Sequence, residues 1–155
     1  MAIALERHLT PATGRPGSPE VGREDSPLEI AVVFTSVEST LAALKHAGAL
    51  AHRLAGRITL LVPQIVPYSL PLSTPPVLID WNERRFRIIA ETSQVDTRVH
   101  LYLCRDRDET LKRVLGPRSL VVLGGPRRWW RLTAEKRLAR KLRRSGREVV
   151  FVETE

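Results

Sequence analysis

The residues of this chain best suited to chemistry stand together in Gly124-Gly125-Pro126-Arg127-Arg128-Trp129-Trp130-Arg131-Leu132-Thr133. Bare glycines let backbone N–H groups come close to an anion, and guanidinium forks match phosphate oxygens in pairs. Indole rings offer a face on which a base can stack. The chemistry implied is capture of a phosphorylated ligand rather than bond-making. Its candidate nucleotide-binding residues in this stretch are Gly124, Gly125, Arg127 and Arg128. A second set follows on the next helix. Arg131, Lys136, Arg137, Arg140, Lys141 and Arg144 make a candidate polyanion-binding surface for nucleic acid or an anionic membrane. Each feature also has a plain structural reading. The glycine pair is what a tight strand-to-helix turn wants, a tryptophan can cover a sheet edge or a dimer contact, and a basic face is common on surface helices.

No catalytic set accompanies these residues. His8, His46, His52 and His100 show no metal-ligand spacing with Cys104 or with carboxylates. His46 and His52 lie on different faces of one helix. Asp106 and Asp108 near a strand end are placed to cap the following helix or to chelate a cation, and Ser36 and Ser39 lack a base visible in the sequence. The expectation is a protein that is not an enzyme and holds no metal.

Charge reinforces the anionic-ligand reading because of where it lies. Residues 127–147 carry eight Arg and two Lys against Glu135 alone, while the whole chain nets +8, so the remainder is close to neutral. The 155 residues suit one domain with a core built mainly from aliphatic side chains, since aromatics are only 5%. The lone Cys104 excludes an internal disulfide framework. No run approaches the roughly 20 apolar residues of a membrane span, and residues 1–20 lack a continuous apolar signal region, so a cytoplasmic protein is expected.

Residues 1–27 hold four prolines and three glycines and read as a disordered leader, with one α/β domain over 28–155. From there the pattern alternates. Glu29–Phe34 is a short continuous apolar run, as expected of a strand covered on both faces. A helix follows over Thr40–Ala55 and stops at Gly56. Arg57–Val62 is a strand, Pro63–Pro76 an irregular loop, and Val77–Thr92 a helix. Thr97–Cys104 is a strand, Asp108–Leu115 a short helix, and Leu120–Leu123 a strand that ends at the glycine pair. Thr133 caps a helix over Ala134–Arg144, Ser145-Gly146 ends it, and Glu148–Val152 is the last strand. Strands alternating with helices predict a five-stranded parallel sheet with helices on both faces.

Ile30-Ala-Val-Val-Phe-Thr-Ser-Val-Glu-Ser-Thr-Leu-Ala-Ala-Leu44, Arg57–Val62, Ser119-Leu-Val-Val-Leu-Gly124 and Glu148–Val152 together resemble a universal stress protein domain of the UspA type. The resemblance spans about residues 28–154. It implies a Rossmann-like five-stranded sheet, a homodimer paired through the last strand and, in many members, ATP at the carboxyl edge of the sheet. In those members an Asp ends the first strand, and a Gly-x2-Gly-x9-Gly-Ser/Thr loop wraps the phosphates. Here the Asp position falls on Thr35. The first loop glycine matches Gly124 and the second falls on Arg127. The third falls on Arg137 by direct count or Leu132 in a shortened loop, and Thr133 can stand for the terminal hydroxyl only if about five loop residues are missing. The usual phosphate loop is absent. The same strand-end residues argue against other folds of this type. A phospho-acceptor receiver needs acids where Thr35 and Ser36 stand, and a flavodoxin needs a glycine and hydroxyl-rich first loop.

The resulting expectation is a non-enzymatic regulatory or stress-associated binding module whose ATP crevice has degenerated. Two other readings remain open: nucleotide binding with arginines replacing the glycine loop, and polyanion binding through the basic helix.

Overall fold

The computed structural model describes residues 5–9, 27–72, 79–91, 96–117 and 119–155. Elements run β1 (Leu5–Leu9), β2 (Glu29–Val33), α1 (Val37–Leu54), β3 (Arg57–Ile65), α2 (Ile79–Glu91), β4 (Thr97–Cys104), α3 (Arg107–Val114), β5 (Leu120–Pro126), α4 (Ala134–Arg144) and β6 (Glu148–Thr154). They form one sheet in the order β1-β4-β3-β2-β5-β6. The five strands from β2 to β6 are mutually parallel, as the alternating pattern predicts, whereas β1 is antiparallel to β4.

The strand β1 lies inside the segment read as a disordered leader. Its register pairs Leu5 with Leu103 and Leu9 with Val99. A five-residue strand gains little alone, but β4 otherwise ends the sheet with unpaired backbone groups, and pairing satisfies them. Residues 10–26 of that leader lie outside the described residues.

Successive residues of β2 face opposite ways and feed two cores. Ile30 and Val32 join Leu44, Leu60, Phe86 and Ile89 under α1 and α2. Ala31 and Val33 join Leu111, Leu123, Leu138 and Leu142 under α3 and α4. The helix α1 begins earlier than its apolar spacing suggests, because Ser36 is the N-cap and its side chain accepts from the Ser39 N–H at 3.2 Å. Its buried side is small, with Ala43, Ala47, Gly48 and Ala51, so the helix axis lies close to the sheet. It ends on Ala55, whose φ is 49°, rather than on the glycine expected to take that conformation. Gly56 is needed for a different reason: a Cβ there would lie 2.8 Å from the Leu28 carbonyl oxygen.

Thr133 caps α4, accepting from the Lys136 N–H at 3.2 Å, and Gly146 at φ 89° lets the chain leave it. Three strands, β3, β5 and β6, exceed their expected lengths at the carboxyl edge. Pro63 lies within β3 opposite Tyr102 of β4. The Gly124-Gly125 pair lies within β5, with Gly124 opposite Val152 and Gly125 opposite Glu153. The second helix, expected over Val77–Thr92, spans Ile79–Glu91, and its expected first and last residues lie outside the described ones.

Candidate functional site

The chain runs from β2 outward to β3 and β4, then returns to the other side of β2 for β5 and β6. That reversal puts the switch point between β2 and β5, where open α/β sheets hold their ligands at the carboxyl ends of the strands. Thr35 and Gly124 meet there as the sequence suggests, but their polar groups bind each other. Thr35 Oγ1 donates to the Gly124 carbonyl at 2.9 Å, and the Thr35 N–H donates to Thr40 Oγ1 at 3.2 Å. The hydroxyls of Ser39 and Thr154 lie 3.1 Å apart and close the mouth from the other side. Neither Ser39 nor Thr154 is marked by any motif; only the packing of α1 against β6 brings them together.

The glycine pair is not a turn. Both residues are extended within β5, and the ladder continues through Pro126 until the Arg127 N–H donates to the Thr154 carbonyl at 2.7 Å. What demands glycine is crowding. A Cβ on Gly124 would sit 2.0 Å from the Ser39 carbonyl oxygen, and one on Gly125 would sit 2.7 Å from Phe151 and 2.9 Å from Glu135 side-chain carbon. Such distances leave no room for a phosphate between Gly124 and the first turn of α1.

The remaining candidates divide. Arg127 Nε lies 3.7 Å from Glu153, and Thr133 spends its oxygen on the α4 cap. Lys136 pairs with Glu153 at 3.1 Å and reaches the Arg128 carbonyl at 3.4 Å. Lys141 donates to Asp108 at 2.6 Å, tying α4 to α3. Burial works to raise the Asp108 carboxyl, but the hydrogen bond from Lys141, with the charges of Arg107 and Lys141, outweighs it and holds the group below its ordinary value. Among the described residues, Arg128, Arg131, Arg137, Arg140 and Arg144 have no carboxylate within 4 Å. They are exposed, while Leu138, Ala139 and Leu142 turn inward. Trp129 and Trp130 are exposed as well, so neither covers the sheet edge.

Among the described residues, two hollows flank the sheet. One of about 200 Å3 lies between α4 and β6 and is lined by Leu132, Lys136, Ala139, Arg140, Arg143 and Phe151. The other, about 170 Å3, includes Glu29, Thr59, His100, Tyr102 and Ser119 under α3. There Glu29 accepts from the Thr59 hydroxyl at 2.9 Å, and His100 Nδ1 lies 3.3 Å from the Tyr102 hydroxyl. Cys104 is buried with its thiol 3.7 Å from the Gln64 carbonyl, and burial pushes its pKa up, which makes it a poor nucleophile. Asp106 caps α3, accepting from the Glu109 N–H at 2.9 Å. No group of three metal-ligating side chains occurs among the described residues, and none of their helices is long and apolar enough to cross a membrane.

The architecture defines the class: an open α/β sheet of five parallel strands, with its topological switch point between β2 and β5. Among solved structures, the chain is similar to the universal stress protein from Archaeoglobus fulgidus, with a TM-score of 0.53 over 80% of this chain and 92% of that one. At 12% identity the likeness shows the fold, which is the fold the sequence resemblance implies, extended here by the antiparallel β1. No family model matches the chain, and no curated protein matches it.

Proposed function

We propose that this protein is a non-enzymatic binding module on the universal stress protein fold, in which the ATP crevice has been replaced by internal packing. The observation that carries this reading is the contact of Gly124 with α1, where a Cβ would stand 2.0 Å from the Ser39 carbonyl oxygen. Nucleotide phosphates need several backbone or guanidinium donors converging on one open position. At this switch point the Thr35 hydroxyl is bonded to Gly124, and the Ser39 and Thr154 hydroxyls face each other.

Calorimetry of the full chain with ATP and ADP, in the presence of Mg2+, tests the reading. The expected result is no saturable binding up to about millimolar nucleotide, the weak end of specific affinities. Saturable binding that disappears in an Arg127→Ala, Arg128→Ala variant would overturn it and establish an arginine-built phosphate site instead. A function in regulation or stress response agrees with the fold. We assign the module's interactions to the protein surface rather than to the crevice.

A further inference from the structure

The three most exposed large hydrophobic side chains among the described residues are all amphipathic aromatics, and all lie beyond the carboxyl ends of the strands. Tyr68 is 86% exposed, Trp129 86% and Trp130 90%. Two aliphatic residues share that end of the molecule, Ile65 at 54% and Leu132 at 42%. The loops that carry them are held in place. Arg105 donates to the carbonyls of Val66 and Leu70 at 2.8 Å each and to that of Pro67, and its guanidinium lies 5.0 Å from the Tyr68 ring centre. The second loop is tied by Arg127 N–H to Thr154 and by Lys136 to the Arg128 carbonyl. Secured backbones thus display aromatic rings outward, beside Arg128 and Arg131, which have no carboxylate partner among the described residues.

We propose that this carboxyl edge docks on an anionic lipid bilayer, with Trp129 and Trp130 entering the headgroup layer and Arg128 and Arg131 pairing with lipid phosphates. Tryptophan and tyrosine favour the membrane–water interface because a large apolar ring there keeps a polar atom wet. Guanidinium groups near an anionic leaflet are attracted within a screening length of the surface. One observation favours a bilayer over a nucleic acid strand: the exposed Ile65 and Leu132 gain from an acyl boundary but offer no base a stacking face. The aromatics come from two loops, after β3 and after β5, whose strands are separated by β2. This proposal does not depend on whether the crevice binds nucleotide.

Cosedimentation of the full chain with phosphatidylcholine vesicles, with and without about one-third phosphatidylserine, tests it. Binding should require the anionic lipid and collapse in ~1 M salt, where the screening length falls to about 3 Å. In a Trp81→Phe background, tryptophan emission should move to shorter wavelength on vesicle addition. Trp129→Ala with Trp130→Ala, and separately Arg128→Gln with Arg131→Gln, should each weaken binding about tenfold or more while leaving the melting transition in place. Failure to bind anionic vesicles overturns the proposal, as does vesicle binding that the tryptophan pair does not affect. Tighter binding to a single-stranded oligonucleotide than to vesicles at equal phosphate concentration also overturns it and makes the surface a nucleic-acid site.

Discussion

Gly124 shows most directly what the crevice has become. Its hydrogen faces backbone, not solvent: the three nearest atoms to a Cβ at this position belong to Ser39, at 2.0, 2.6 and 3.1 Å, and backbone cannot swing aside as a side chain can. Gly124→Ala must therefore push the first turn of α1 off β5 and break the Thr35 bond at 2.9 Å. The expected loss is about 3 kcal/mol, the upper end for overpacking a tight core. Gly125→Ala meets only side chains, at 2.7 Å from Phe151 and 2.9 Å from Glu135, so its cost should be nearer 1 kcal/mol. Urea unfolding of both variants measures the difference. A Gly124→Ala protein as stable as the parent means that α1 stands farther from β5 and the crevice is open. For the same reason Gly124→Val is a poor probe of nucleotide binding, since it tests the fold first.

At the scale of elements, Asp108 and Lys141 make the polar link between α3 and α4, at 2.6 Å. The Asp108 carboxyl is held below its ordinary value in the folded chain, so the unfolded chain takes up its proton at higher pH than the folded one. Its stabilisation is therefore complete above the ordinary carboxylate range and lost as pH falls through the depressed folded value. Asp108→Asn should cost about 0.5–1 kcal/mol at neutral pH, because Lys141 is half exposed, and the difference from the parent should vanish in acid. Thermal melts of both proteins between neutral and acid pH read this directly; a constant gap at all pH values would assign the loss to packing. These helices also show how far elements were legible in the sequence. The span of α4 matches its expectation at both ends because its signals are local: Thr133 at the cap, an apolar stripe at Leu138 and Leu142, and Gly146 behind. The strand β4 is equally local, bounded as its alternation suggests. The strand β5 overruns its expected end, since a glycine pair normally signals a turn, whereas here Ser39 and Phe151 demand it through contacts remote in sequence. The strand β1 is not legible in Leu5–Leu9, a short run ahead of the prolines and glycines that begin at Pro11, because its stability comes from the edge of β4.

The whole molecule is asymmetric at its two sheet edges, and that bears on assembly. One edge strand is β1, five residues long and antiparallel to its neighbour; the other is β6, the last strand, seven residues long and parallel to β5. Thr154 directs its carbonyl to Arg127 at 2.7 Å, while Val149 presents its carbonyl to Arg143 at 3.0 Å, away from β5. By the alternation of a strand, Phe151 and Glu153 share the outward direction of Val149. A strand edge with outward N–H groups and half-buried Val150, Phe151 and Val152 is a natural template for a second copy of this chain, since isologous pairing satisfies both copies at once. We therefore expect a homodimer through β6. Light scattering of the full chain should give twice the monomer mass. Glu153→Pro removes an outward N–H and places a ring where the second strand would lie, yet leaves pairing to β5 intact, since Pro is tolerated on the free side of an edge strand. That variant should scatter as a folded monomer. A parent that is monomeric across micromolar concentrations would refute pairing through this edge, and a Glu153→Pro protein that stays dimeric would move the interface elsewhere. The two surfaces are compatible in one assembly, because the β6 edge runs along the side of the sheet while Tyr68, Trp129 and Trp130 lie past its carboxyl end. A dimer would present both aromatic loop sets, and pairing would couple the two: if vesicle binding is bivalent, it should weaken when the parent chain is diluted to the monomer.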